Sequence, residues 1–244
     1  MRTIRGFFPE INKSLIETEI SGEYYNYFKN VLRLKKGDLI NLFNNKDSLE
    51  YITKINNISN KHLTINIIDS IKIEKENNYN INLYQSIIKN ENFDLVVQKA
   101  TELGVNNIIP IVTDRTNHKF DHKHFDKKID RWQKIAINAS EQCGRVFIPK
   151  IHDIINLFGI NFTDALNIVL CPYTKNKENS IELNITSNNN FNIFIGPEGG
   201  FTDEEVKFIN SQNNSLTMNL GDRILKSETA HISLISIINF LKQK

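Results

Sequence analysis

The sequence predicts an α/β fold on a mainly parallel sheet, preceded by a small β-barrel. Three observations carry that prediction. From residue 81 onward strand-like runs alternate with helical patterns, the order that builds a parallel sheet covered on both faces. Before residue 72 the runs are short, β-rich and separated by polar turns. Near the C-terminus two strand-like runs each end in a glycine-bearing turn followed by a helix start: Ile193-Phe194-Ile195-Gly196-Pro197-Glu198-Gly199-Gly200, and Leu216 to Leu220 followed by Gly221-Asp222-Arg223-Ile224-Leu225.

The elements follow in chain order. Runs at 39–44, 50–57 and 62–68 are the barrel strands, with turns at Asn44-Asn45-Lys46-Asp47 and Asn57 through Lys61. Lys72 through Asn80 is charged and polar and reads as a linker, so a domain at 1–72 and another at 81–244 are expected. Ile81 to Ile88 is a strand. Phe93, Val96, Val97, Ala100 and Leu103 recur at helical spacing, and Gly104 suits the end of that helix. Ile108 to Val112 is a strand and Asp126 to Gln142 a long helix. Asn167 to Cys171, Ile193 to Gly196 and Leu216 to Leu220 are strands, Ser187 to Asn190 an exposed loop, and Ser227 to Lys242 a final helix. Thr202 followed by Glu205 is a capping box, which places a helix start directly after Gly199-Gly200.

Composition bounds the function. A chain of 244 residues with 40% hydrophobic and 24% charged residues reads as an ordinary soluble protein of one or two domains. No apolar run approaches the ~18 residues a membrane helix needs, and no signal peptide is visible, so a cytoplasmic location is expected. Two cysteines, Cys143 and Cys171, cannot build a disulfide framework or a four-thiolate metal site. The net charge of +2 means that any nucleic-acid binding must use local patches.

The two glycine turns lie at the carboxyl ends of expected parallel strands, where such sheets bind ligands. Together they suggest a backbone-lined pocket. Neither turn has the spacing of a phosphate loop or a dinucleotide fingerprint. Glu141, Gln142 and Arg145 fall at the end of the long helix, where a solvated helix end is the plain reading. Arg2, Arg5, Lys29, Arg33, Lys35 and Lys36 form a basic set, with Tyr24, Tyr25, Tyr27 and Phe28 among them. Such a mixture suits phosphate contacts and base stacking, or equally an ordinary surface over core aromatics. Lys119 to Lys134 reads as a salt-bridged helix face. His118, His122 and His124 lack accompanying ligands, so no metal is expected.

Six segments in order also carry a family resemblance. Met1-Arg2-Thr3-Ile4-Arg5, Val31-Leu32-Arg33, Gln98 to Val105, Arg131 to Ala136, Glu141-Gln142-Cys143-Gly144-Arg145 and the two glycine turns together resemble SPOUT-class RNA methyltransferases. The most similar family methylates uridine N3 in 16S ribosomal RNA of the small subunit. The resemblance implies a C-terminal trefoil knot, a PUA-like N-terminal domain that holds RNA, a homodimer, and S-adenosylmethionine as cofactor. It implies a cofactor shell of Leu170, Gly196, Gly199, Gly200, Leu220, Gly221, Ile224 and Leu225. Arg2, Arg5 and Arg33 become RNA-binding candidates. Arg145 becomes a candidate to stabilise a uridine anion, with Glu141 and Glu198 as proton acceptors. Two positions depart from the family: Tyr27 stands where members usually carry His, and Lys226 where Arg is common. The alternatives are a ribose 2′-OH methyltransferase of the same fold and a non-catalytic ribosome-assembly protein.

Overall fold

A computed structural model describes residues 4–116, 125–162, 164–174 and 181–243. The chain forms two compact units, Met1–Glu76 with Ser140–Ile148, and Asn77–Ala139 with Pro149–Lys244. Among the described residues, no helix is long and apolar enough to cross a membrane.

The first unit holds β1 (Arg5–Phe7), β2 (Glu17–Ser21), β3 (Leu39–Phe43), β4 (Leu49–Ile58) and β5 (His62–Lys72). They pair in the order β1–β3–β4–β5–β2, parallel at β1–β3 and antiparallel elsewhere. Alternate residues point inward, as the period of a strand requires: Tyr51, Thr53 and Ile55 on β4, Leu63 and Ile65 on β5. A helix that the sequence reading missed lies between β2 and β3. It is α1 (Gly22–Asn26), running into a π-helical turn over Tyr27–Val31. Its five residues are too few for a periodic signal. Of the two readings open for its aromatics, Tyr25 and Phe28 follow the core one, and Tyr24 and Tyr27 pack against that core.

The second unit is a seven-stranded sheet in which every pairing is parallel. Its strands are β6 (Asn80–Ser86), β7 (Asn107–Val112), β8 (Lys150–Ile151), β9 (Ile155–Asn156), β10 (Leu166–Leu170), β11 (Asn190–Ile195) and β12 (Ser215–Met218). The order is β12–β10–β11–β6–β7–β8, with β9 also on β7. The helices are α2 (Asn90–Glu102), α3 (Phe125–Cys143), α4 (Ile181–Ser187), α5 (Asp203–Asn210) and α6 (Ser227–Lys242). The last turn of α3 counts with the first unit. β6, β7, β10 and β11 are buried almost throughout, which explains why they read as continuous apolar runs. β8, β9 and α4 escaped the sequence reading because each is too short for a periodic signal. The loop expected at Ser187–Asn190 is shorter in the structure, since Ser187 closes α4 and Asn190 opens β11.

One polar feature crosses this sheet. Asn107 Nδ2 donates to Asn82 Oδ1, Asn82 Nδ2 to Asn192 Oδ1, and Asn192 Nδ2 to Asn167 Oδ1, each at 2.9 Å. Asn167 Nδ2 then donates to the Asn213 carbonyl at 3.0 Å. A carbonyl can only accept, so this last link sets the direction of every amide in the ladder. At the other end, His152 Nε2 lies 2.8 Å from Asn107 Oδ1 and must donate to it. The ladder follows the strand register, Asn107 beside Asn82, Asn82 beside Asn192 and Asn192 beside Asn167. It occupies the amino-terminal half of the strands and leaves the carboxyl ends for a site.

Candidate active site

A pocket opens where β10, β11 and β12 end. Residues 170–173, 195–201, 218–220 and 223–225 line it, with Ser227 and Ala230 from α6, Val206 from α5, and Arg115. Both glycine turns therefore meet at one place. Seven of the eight expected cofactor residues, Leu170, Gly196, Gly199, Gly200, Leu220, Ile224 and Leu225, are in the wall. Gly221 is not among them, and its N–H donates to Asn219 Oδ1 at 2.9 Å, which tightens the turn beside the pocket.

The 196–201 loop is held by its carbonyls. Gly200 N–H donates to Pro197 O at 2.9 Å, and Gly200 has φ +70°, a conformation that disfavours any β-branched residue. Ser227 Oγ donates to Gly196 O at 2.9 Å. Arg115 Nη1 donates to Gly199 O at 2.9 Å and reaches Phe201 O at 3.4 Å. The Arg115 stem crosses Gly199 so closely that a Cβ there would lie 3.3 Å from Arg115 Cβ. Past the loop, Thr202 and Glu205 form the expected capping box. The fully buried Glu205 carboxylate accepts Thr202 N–H at 2.7 Å and Asp114 N–H at 2.8 Å, tying the end of β7 to the start of α5. Among the described residues, the amides of Glu198, Gly199 and Phe201 donate to no protein acceptor. The loop thus offers N–H donors beneath aliphatic walls, a surface suited to a flat heterocycle with ring-nitrogen acceptors.

Arg115 was not singled out in the sequence. Its signal was positional, since it follows the expected strand at Ile108 to Val112, at the edge where parallel sheets place ligands. Arg223 also lines the pocket and is exposed. Glu198 lines it too, with its side chain exposed.

The other two catalytic candidates sit in the first unit and are not in this wall. Glu141 accepts Phe7 N–H at 2.8 Å and Tyr27 O–H at 2.6 Å. Burial raises its carboxyl above the usual range, opposed by the Tyr27 and Phe7 hydrogen bonds and the charge of Arg5. Arg145 is buried and ion-paired to Glu76 at 2.7 Å. Arg5, an RNA-binding candidate, is turned inward as well. Its Nη1 donates to Ser140 O at 2.8 Å and Glu141 O at 2.9 Å, its Nη2 to Arg145 O at 3.0 Å, and its Nε pairs with Glu50 at 2.7 Å. A helix end leaves its last carbonyls short of partners, and here one guanidinium reaches Glu141 O, Ser140 O, which also accepts Gly144 N–H at 3.1 Å, and Arg145 O beyond the helix. The sequence could not show this, because residues 5 and 145 meet only through the tertiary fold. Arg33 is exposed, as are Lys35 and Lys36. Arg2, His118, His122 and His124 lie outside the described residues. Among the described residues no group of three metal-ligating side chains forms. Tyr27 is a hydrogen-bond donor to Glu141. Lys226 is exposed and lies 3.9 Å from Glu228.

A family model described as an RNA methyltransferase domain matches residues 75–239, and an RNA methyltransferase PUA domain matches residues 20–68. The ribosomal RNA small subunit methyltransferase E of Rickettsia conorii is 32% identical over 242 residues, covering 95% of this chain and 94% of its own length. The chain belongs to the ribosomal RNA small subunit methyltransferase E family. The Bacillus subtilis member is 28% identical and covers 96% of this chain and 95% of its own. Among solved structures, a Legionella pneumophila methyltransferase in complex with its bound cofactor SAM superposes with a TM-score of 0.90 at 31% identity. The family member from Neisseria gonorrhoeae, bound to S-adenosyl methionine, gives 0.87 at 26%. Each covers 98% of both chains. The α/β unit with its pocket is therefore the methyltransferase unit of this family, and the N-terminal sheet is its PUA-like domain.

Proposed function

We propose that this chain uses S-adenosylmethionine to methylate N3 of one uridine in 16S ribosomal RNA, uridine 1498 in the conventional numbering. The observation that carries the reading is the convergence of both glycine turns on a single aliphatic, donor-rich pocket. The relatives' names and the two cofactor-bound neighbours support it. The reading includes the trefoil knot of the C-terminal strands and helix, a homodimer, and action on the small ribosomal subunit in the cytoplasm. Exposed Arg33 is assigned to RNA phosphate.

The free amides of the 196–201 loop and the aliphatic walls from Leu170, Leu220, Ile224 and Leu225 would hold the adenosine. S-adenosylmethionine supplies an electrophilic methyl on sulfur, so that the N3 lone pair forms the N–C bond as the C–S bond breaks. N3 of uridine carries a proton and is a poor nucleophile until that proton leaves. Of the three carboxylate and guanidinium candidates, Glu198 alone lines the pocket and is assigned as proton acceptor. Negative charge then develops across the uracil carbonyls, and the guanidinium groups available to meet it in this wall are Arg115 and Arg223. Glu141 and Arg145 are assigned to holding segment 140–148 within the first unit.

Incubation with S-adenosylmethionine and small subunits from a strain lacking this modification, followed by mass mapping of the RNA, tests the reading. One added methyl on the uracil ring of a single uridine is expected. Methylation on ribose, or none despite cofactor binding, would refute the assignment.

A further inference from the structure

The peptide joining Gly196 to Pro197 has no N–H, because Pro197 is an imino acid. Its one hydrogen-bonding handle is the Gly196 carbonyl, which accepts from Ser227 Oγ at 2.9 Å. Ser227 Oγ in turn lies 2.8 Å from Gln85 Nε2, and Gln85 Nε2 lies 2.9 Å from Ser86 O. Ser86 O can only accept, so the Gln85 group facing it is the NH2, and its second hydrogen points at Ser227 Oγ. The Ser227 proton is then left for Gly196 O. Proton direction along Gln85, Ser227 and Gly196 is thereby determined.

These residues come from the end of β6, the first position of α6 and the residue after β11. Gly196 and Ser227 line the pocket, whereas Gln85 is fully buried and does not. The loop doubles back on the anchored residue: a Cβ on Gly196 would lie 3.1 Å from Phe201 N and 3.3 Å from Gly200 Cα. A tilt of the Gly196–Pro197 peptide therefore displaces the Gly200 and Phe201 backbone, which includes one of the free amide donors.

We infer that Gln85 and Ser227 are positioning residues for the cofactor loop. Resting on the proposed use of S-adenosylmethionine, this inference assigns the relay to setting cofactor affinity through the Gly196 carbonyl, without contact between Gln85 and the ligand. Gln85→Glu keeps the shape but replaces the donor by acceptors, which draws the Ser227 proton away from Gly196. Gln85→Met removes the donor and leaves the hydroxyl unoriented. Ser227→Thr keeps the hydroxyl, and Ser227→Ala removes it.

The test is calorimetric binding of S-adenosylmethionine to the full chain and its variants, with steady-state kcat and KM on small subunits. Trp132 fluorescence through urea denaturation verifies folding of each variant. The expected order is about tenfold weaker binding for Ser227→Ala and Gln85→Glu, a few-fold for Gln85→Met, and wild-type affinity for Ser227→Thr; one hydrogen bond of about 1.4 kcal/mol corresponds to tenfold. KM for the cofactor should rise in step while kcat stays within about twofold, because the relay sets binding rather than the chemical step. If Gln85→Glu fails to fold, Gln85→Met and the Ser227 pair carry the test. Weakened binding in Ser227→Ala with unchanged affinity in folded Gln85 variants overturns the relay and makes Ser227 a direct contact. Wild-type affinity in Ser227→Ala overturns it outright. Absence of binding by the unmodified protein refutes the proposed cofactor itself, and the relay with it.

Discussion

Asn192→Ala should cut the four-strand asparagine ladder at its centre. Asn192 is fully buried on β11 and makes one bond to each side, donating to Asn167 and accepting from Asn82. The substitution removes two side-chain hydrogen bonds, each worth about 1 kcal/mol net. It also strands Asn167 Oδ1 in a site that is 1% exposed, where an unpaired acceptor costs a further ~1–3 kcal/mol. Asn82 is only half-buried, so water can take up its freed donor and adds little. The expected total is about 3–5 kcal/mol. Urea denaturation followed by Trp132 fluorescence reads this unit, because Trp132 is buried there and stacked on Phe93 at 4.1 Å. The midpoint should fall with the slope unchanged, as for a loss of stability without a change in exposed surface. Asn80→Ala is the internal control. Asn80 also bonds an in-register asparagine, Asn190 at 3.0 Å, but both are exposed, so less than about 0.5 kcal/mol is expected. A double-mutant cycle with Asn167→Ala should show coupling above about 0.5 kcal/mol. If Asn192→Ala costs no more than Asn80→Ala, the ladder does not hold the register that aligns the pocket-bearing strand ends.

Three further outcomes are expected. Burial holds the His231 imidazole at a pKa of about 4, below its ordinary 6.5, so above pH 6.5 the ring is neutral folded and unfolded and its protonation does not affect stability. As pH falls from 6.5 toward 4 the unfolded chain takes the proton first and stability drops by up to about 3 kcal/mol. Urea midpoints across that range should therefore flatten in His231→Leu, and an unchanged pH dependence would show that His231 is not the group responsible. Arg115→Met should free the Gly199 and Phe201 carbonyls and weaken S-adenosylmethionine severalfold by calorimetry, while Arg131→Met, on an exposed ion pair with Asp94, should leave affinity unchanged. Neutralising Arg33, Lys35 and Lys36 together should lower the slope of log RNA affinity against log salt by roughly 0.7–0.9 per lost phosphate contact, with cofactor affinity untouched; a constant slope would place the RNA elsewhere.

Much of this protein is local, and local features were legible in the sequence. The Thr202–Glu205 capping box, the Gly104 end of α2 and the buried β6, β7, β10 and β11 depend on residue type at short spacing, which sequence reports directly. The two glycine turns announced a pocket because parallel strands expose ligand sites at their carboxyl ends. The fate of polar side chains was decided only by the tertiary structure. Arg5, Glu141 and Arg145 look like solvated or catalytic charges in sequence, and each is tied to partners far away along the chain. Arg115 and Gln85 gained their roles the same way, one across the glycine loop and the other beneath it. A hydrogen bond is directional and short, so its partner is set by where the backbone brings two groups within about 3 Å. Apolar burial has no such requirement. Its periodicity survives in one dimension, whereas the pairing of donors and acceptors exists only once the chain has folded.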